Sequence, residues 1–218
     1  MLPFSLFDAH CDTLSRCSRL DCGLRANTGH TDLTRGMQFR HYAQVFAVFR
    51  DGASPPLDGM FAEFTRQTNL FFQQMRENAD WVMHCRSRSD LQQAAAEHKA
   101  AALLSVEGAE LLECDPGRID IAAELGVCMI NLTWNRANAL SGSHMEEAER
   151  GLSLQGKDFV RRAQEAGILV DVSHLSDAGF WDLIKMTQRP VVASHSDARV
   201  LSPHTRNLTD DMFRAIRD

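Results

Sequence analysis

Residues 168–195 read ILVDVSHLSDAGFWDLIKMTQRPVVASH. Two short apolar runs, 168–174 and 190–196, enclose a stretch of helical length that Ser176 opens and that extends to about Met186. A serine at such a point can cap the free N–H groups of a helix. Strand, helix and strand in this order form a βαβ unit, and the crossover makes the two strands parallel. Each run also carries a histidine at or next to its end, His174 and His195.

The alternation continues toward the N-terminus. LFDAH lies in a strand over 5–10, and AQVFAVF (43–49) is a second. The loop SPPLDG (54–59) and an amphipathic helix from about Leu57 to Met75 follow. WVMHC (81–85) reads as an accessory strand, and AALLSVEGAE (101–110) contains a principal one. In 115–126, Asp115 can cap a helix, Pro116 fits its first turn and Gly126 stops it. VCMINLTWN (127–135) is a strand and 154–167 a helix ended by Gly167. Thr209 opens a last helix, with Asp210 and Asp211 where the helix dipole favours acids. Six principal strands alternating with helices predict an α/β protein with a parallel sheet, in one domain over 1–218. The pattern alone leaves a doubly wound sheet and a barrel both open. No Gly-x-Gly-x-x-Gly or Walker-type loop supports nucleotide binding.

Composition narrows the partners. With 44% hydrophobic and 24% charged residues, the chain has the proportions of an ordinary globular protein. A net charge of −6, with arginines scattered among acids, gives no reason to expect nucleic acid or an anionic membrane as partner. No apolar run is long enough for a membrane span, and Asp8 interrupts anything resembling a secretory leader. Six cysteines without a Cys-x-x-Cys pair read as free thiols in a reducing cytoplasm. Cys11 is assigned to the strand face opposite its neighbours, as core.

Ligand-type side chains collect at strand ends. His10 and Asp12, two residues apart, project to one side of an extended chain. Glu107 ends LLSVE, His174 ends LVDVSH and His195 ends VVASH. In a (β/α)8 barrel such ends converge on one face, where active sites are built. Three imidazoles and two carboxylates, with no thiolate, suit zinc or a similar divalent ion.

The stretches FDAHCDTL, LLSVEGAE, NLTWN, VDVSHLSD and ASHSDAR…TRNLTDD resemble, in order, the motifs of the membrane dipeptidase (renal dipeptidase) family of zinc peptidases. The resemblance implies a TIM-type barrel of the metal-dependent hydrolase kind and two zinc ions. His10, Asp12 and Glu107 would bind one ion. Glu107, His174 and His195 would bind the other, with Glu107 as the bridge. Arg206 would hold the carboxylate of a dipeptide substrate. Catalysis would pass through a metal-bridging hydroxide, with Glu107 and Arg206 as the catalytic residues. Other amidohydrolase activity, such as deacylation of an N-acyl amino acid, and an inactive metal-binding remnant are the alternatives.

Two departures from the family accompany this reading. Animal members carry a histidine after LT, where this chain has Trp134, read as lining the substrate site. Indole donates one hydrogen bond and has no acid–base function near neutral pH. The family also continues for two more strand–helix units, the last bringing an aspartate that assists proton transfer. Six units are expected here, with unpaired edges on the first and sixth strands and association into homo-oligomers. Asp177 and Asp197 are expected to orient imidazoles from behind. His30, His41, His84, His98, His144 and His204 are read as surface or packing residues.

Overall fold

Seven strands form one sheet in the computed structural model, which describes residues 2–51 and 57–218. They are β1 (Leu6–Cys11), β2 (Tyr42–Phe49), β3 (Val82–His84), β4 (Ala100–Glu107), β5 (Val127–Asn131), β6 (Leu169–Asp171) and β7 (Val191–Val192). All pairings are parallel, and six strands lie in the order β1-β2-β4-β5-β6-β7. β3 pairs with residues 100–102 of β4, and β5 pairs with residues 104–106. The two therefore share one edge of β4, which makes β3 the accessory strand. The six principal strands curl into a parallel half-barrel of the TIM type, with β1 and β7 at the ends of the order.

Helices fill the crossovers and follow the last strand: α1 (Thr13–Leu20), α2 (Leu33–Gly36), α3 (Met60–Glu77), α4 (Arg88–Ala96), α5 (Ile119–Glu124), α6 (Leu154–Glu165), α7 (Asp177–Met186) and, after β7, α8 (Asp210–Arg217). Side chains that compete with the backbone in a helix interior fix the starts instead. Ser153 accepts from Gly156 N–H, Ser176 from Gly179 N–H and Thr209 from Met212 N–H. Asp115 accepts from Gly117 N–H, but Pro116–Arg118 forms a tighter 3₁₀ turn before α5 begins. Gly126 and Gly167 both adopt φ of +80° just past a helix, where a side chain would be strained. The helices α1, α2 and α4 add to those read from the sequence, and α4 carries a reciprocal Ser87–Asp90 capping box. Of the expected loop over 54–59, residues 54–56 lie outside the described residues. No helix among the described residues is long and apolar enough to cross a membrane.

Strands β5, β6 and β7 stop short of the expected 135, 174 and 196. Side chains take over the hydrogen bonds there. The Asp171 carboxylate accepts from the backbone N–H of Ser173 at 2.9 Å and of Ser194 at 3.1 Å. After β5, Asn138 Nδ2 donates to Leu132 O at 2.7 Å. The polar strand ends thus become loops that can aim side chains inward.

Alternation along β4 places Ala100, Ala102, Leu104 and Val106 in the main core, with Phe64 and Phe71 of α3 and Phe159 of α6. Glu107 belongs to the opposite set, on the face that β1 shares. Leu104 is fully buried, so Leu104→Ala should lower unfolding free energy by about 2–5 kcal/mol in urea titrations. Leu154 is 87% exposed, and Leu154→Ala should stay within about 0.5 kcal/mol of wild type.

Candidate metal centre

Glu107, 4% exposed at the end of β4, is the centre of the cluster. Its two carboxylate oxygens divide the surrounding donors. Oε2 lies 3.2 Å from His10 Nε2, and His10 Nε2 lies 3.5 Å from Asp12 Oδ1. Oε1 lies 2.8 Å from His174 Nε2 and 3.2 Å from His195 Nε2. The rings of His10 and His195 stack with centroids 3.8 Å apart. All five expected ligands therefore meet at one place. Asp12 reaches it from the N-cap position of α1, just past the strand: its backbone carbonyl accepts from Arg16 N–H, and its carboxylate makes no capping bond.

The imidazoles are oriented from behind. Ser194 Oγ donates to the Asp171 carboxylate, which can only accept. The same hydroxyl, 2.6 Å from His195 Nδ1, must then accept from Nδ1–H. Asn135 Oδ1, also an acceptor, lies 2.9 Å from His174 Nδ1. Both rings carry hydrogen on Nδ1 and, when neutral, turn an Nε2 lone pair toward Glu107. Those Nε2 atoms are 3.0 Å apart. Two lone pairs and a carboxylate oxygen so close together need positive charge among them, from protons or from a metal ion.

The electrostatics agree. Burial alone would raise the Glu107 carboxyl, but contacts with His10, His174 and His195 hold it well below the usual carboxylate range. Burial opposes charge on His10, yet hydrogen bonds to Asp12 and Glu107 push it up to about 10. At His174 burial prevails and lowers the pKa, aided by the charge of Arg206. Three imidazoles and two carboxylates, without a thiolate or an apolar group among them, fit divalent ions that prefer nitrogen and oxygen.

Arg206 follows β7 in a half-buried loop. Its Nη1 donates to Ser196 Oγ at 2.8 Å, and its Nη2 is buried with no hydrogen-bond partner among the described residues. Trp134 packs on Phe49, with centroids 5.2 Å apart, and lies 6.3 Å from the ring of His174. It lines a cavity of about 400 Å³ with Asp51, Asn135, Arg136, Met145 and Glu146. A second cavity of about 430 Å³ lies on the other side, lined in part by His10, Asp12, Arg16, Arg19 and His30.

Two expectations need correction. Both oxygens of Asp177 accept from Arg199 at 2.7 Å, so this aspartate anchors a loop and not an imidazole. Asp197 accepts from Ala198 N–H, and its own N–H donates to Asn207 Oδ1. The orienting groups are Asp171 through Ser194, and Asn135. His144, read as a surface or packing residue, is buried, with its ring 5.6 Å from that of His174. Burial, then the charges of His174, Arg206 and His204, lower its pKa to about 4. His30 stands on the rim of the second cavity. Asn135 and Asp171 both lie within the motifs NLTWN and VDVSH, where they look like ordinary strand positions.

A family model described as membrane dipeptidase (peptidase family M19) matches residues 1–218. The chain is 30% identical to an uncharacterized protein in the PQQ-III 3′ region of Acinetobacter calcoaceticus, over 98% of this chain and 77% of that protein. It is 29% identical to dipeptidase tcpJ of Claviceps purpurea, over 87% of this chain and 47% of that one. Among solved structures, it superposes on dipeptidase AC, a metallopeptidase of family M19, with a TM-score of 0.87 and 25% identity, covering 99% of this chain and 70% of the other. The probable dipeptidase PvdM from Pseudomonas aeruginosa gives a TM-score of 0.80 and 25% identity, covering 89% and 53%. The chain thus spans about half the length of the fungal dipeptidase and of PvdM.

Glu110 lies beneath the cluster, 3% exposed, and its Oε1 accepts from Asn138 Nδ2 at 2.8 Å. Burial outweighs that bond and raises its pKa to about 7 from an ordinary 4.5. Between these two values the unfolded chain loses a proton that the folded chain keeps. Stability from this group is therefore full below about 4.5 and falls as pH rises to about 7. Glu110→Gln keeps the shape without the charge. Urea titrations at pH 5 and pH 8 should show the wild type losing stability relative to the variant at the higher pH.

Proposed function

Because the chain belongs to the membrane dipeptidase family, peptidase family M19, we propose that it is a metal-dependent dipeptidase acting on dipeptides with a free C-terminal carboxylate. The observation that carries this reading is the division of donors across Glu107, with His10 on one oxygen and His174 and His195 on the other. His10, Asp12 and Glu107 would hold one divalent ion, and Glu107, His174 and His195 a second, with zinc the ion that these donors suit. Bound ions of this kind supply Lewis acidity toward a scissile carbonyl and lower the pKa of a water nucleophile. The dipeptidases among its relatives support the same substrate class.

The chain's own residues supply the rest. Glu107 has both oxygens committed to imidazoles and so serves as a holder of charge, not as a proton shuttle. Arg206 spends one arm on Ser196 and keeps Nη2 free of any protein partner among the described residues. A guanidinium with donors left over fits a carboxylate in a forked geometry. Trp134, backed by Phe49, gives the cavity beside His174 an aromatic wall, and its indole N–H can donate one hydrogen bond there. Cavities of this size suit small molecules.

The purified protein should take up about two divalent ions per chain when zinc is supplied. Glu107→Gln should weaken both sites and His174→Ala mainly one, as followed by competition with a chromogenic chelator. A dipeptide and its C-terminal amide should differ by about tenfold or more in kcat/KM, since a charge-assisted hydrogen bond contributes about 1.5–3 kcal/mol. No zinc uptake by the wild type would remove the metal reading. Equal cleavage of acid and amide would remove Arg206 from its role.

A further inference from the structure

His144 lies in the segment between β5 and α6, away from every strand end, yet it is 7% exposed. It grips His174 in two ways. Its backbone N–H donates to the His174 carbonyl at 2.9 Å, a carbonyl that also accepts from Thr133 Oγ1 at 3.2 Å. His174 needs such restraint, because its φ of +73° is a left-handed conformation that a side chain disfavours. A residue held there is strained and persists only when its surroundings over-determine it.

The second grip runs through Asn135. His144 Nε2 is 2.9 Å from Asn135 Oδ1, the same oxygen that faces His174 Nδ1 at 2.9 Å. An amide oxygen accepts and never donates, so both ring nitrogens carry hydrogen. The far side of the His144 ring, Nδ1, is 3.3 Å from Thr205 Oγ1, whose hydroxyl can donate to it. One imidazole is thus fixed at both nitrogens, and one amide oxygen serves two histidines.

We infer that His144 is a positioning residue for the metal centre: as its Nε2–H tautomer it holds Asn135 with Oδ1 toward His174, which leaves the His174 Nε2 lone pair aimed at Glu107. This rests on the reading of His174 as a metal ligand. The reverse orientation of Asn135 would present an NH₂ group to both rings. It would force the proton of a neutral His174 onto Nε2, where it would block a metal ion.

Two measurements test the relay. In protein labelled with ¹⁵N-histidine, long-range ¹H–¹⁵N correlations should show a neutral His144 with its proton on Nε2. A proton on Nδ1 would overturn the inference. Cobalt(II) titrations of the variants give the second readout. His144→Ala should lose about tenfold in affinity at one of two sites, the low end for groups that orient a ligand. His144→Gln, whose amide N–H can stand where Nε2–H stood, should recover most of that affinity, whereas His144→Asn, too short to reach Asn135, should not. Equal losses in Gln and Asn would indicate plain packing and overturn the relay. Unchanged cobalt binding in all three variants would do the same while leaving the metal centre intact. A wild type that binds no cobalt would instead overturn the proposed function on which the relay depends. If the alanine variant does not fold, the Gln–Asn comparison and the wild-type tautomer still decide the matter.

Discussion

A carboxylate buried at the top of a β-strand is the constraint on which this structure turns. Taking an ionised group out of water costs several kcal/mol unless opposite charge and hydrogen bonds replace the lost solvent. Glu107 is 4% exposed and can meet that requirement only by drawing partners from elsewhere in the chain. His10 comes from β1, and His174 and His195 come from the loops after β6 and β7, the far end of the sheet. A flat sheet with β4 between them would hold these strands apart. The curl of the half-barrel brings the ends of the order together, and the stacked rings of His10 and His195 mark where they meet.

A second layer of polar groups makes that convergence rigid. Asp171 is fully buried and collects two backbone N–H groups and the Ser194 hydroxyl, so the ends of β6 and β7 are tied through one carboxylate. The loop after β5 is tied in the same manner. Asn138 spans Glu110, Leu132 and the turn at Leu140, while Arg150 donates to the carbonyls of Asn138 and Ser141. These bonds take the place of ladder bonds that longer strands would have made. Shortening three strands is therefore what frees Asn135, His174 and His195 to turn inward without leaving their backbones unsatisfied.

This division explains what could be read from the chain. The succession of strands and helices, helix starts at Ser176 and Thr209, and the clustered set His10, Asp12, Glu107, His174 and His195 all follow from local signals: apolar runs, capping residues and polar residues at strand ends. His144, Asn135 and Asp171 carry no such signal. Their roles come from contacts across 9 to 61 positions, such as His144 to Asn135 and to Thr205, which depend on how a loop folds back. Asp177 misled for the opposite reason. Its place just after a ligand strand suggested an imidazole partner, but at the first turn of α7 it meets Arg199, and a guanidinium outcompetes a neutral ring for both its oxygens.

The exposure of the cluster is asymmetric, and the asymmetry bears on how a substrate would be presented. The side chains of His10, Glu107 and His174 are less than a tenth exposed, whereas Asp12 is about half exposed and His195 a quarter. Under the proposed function, a peptide bond could approach only from the side on which Asp12 and His195 stand. The two cavities flank the cluster, one walled by Trp134 and the other by Arg16 and His30. A molecule with its reacting bond at the metals would have one short arm available on each flank. Under that reading, each cavity offers room for one short arm of a dipeptide, a fit of shape independent of the charge that Arg206 supplies.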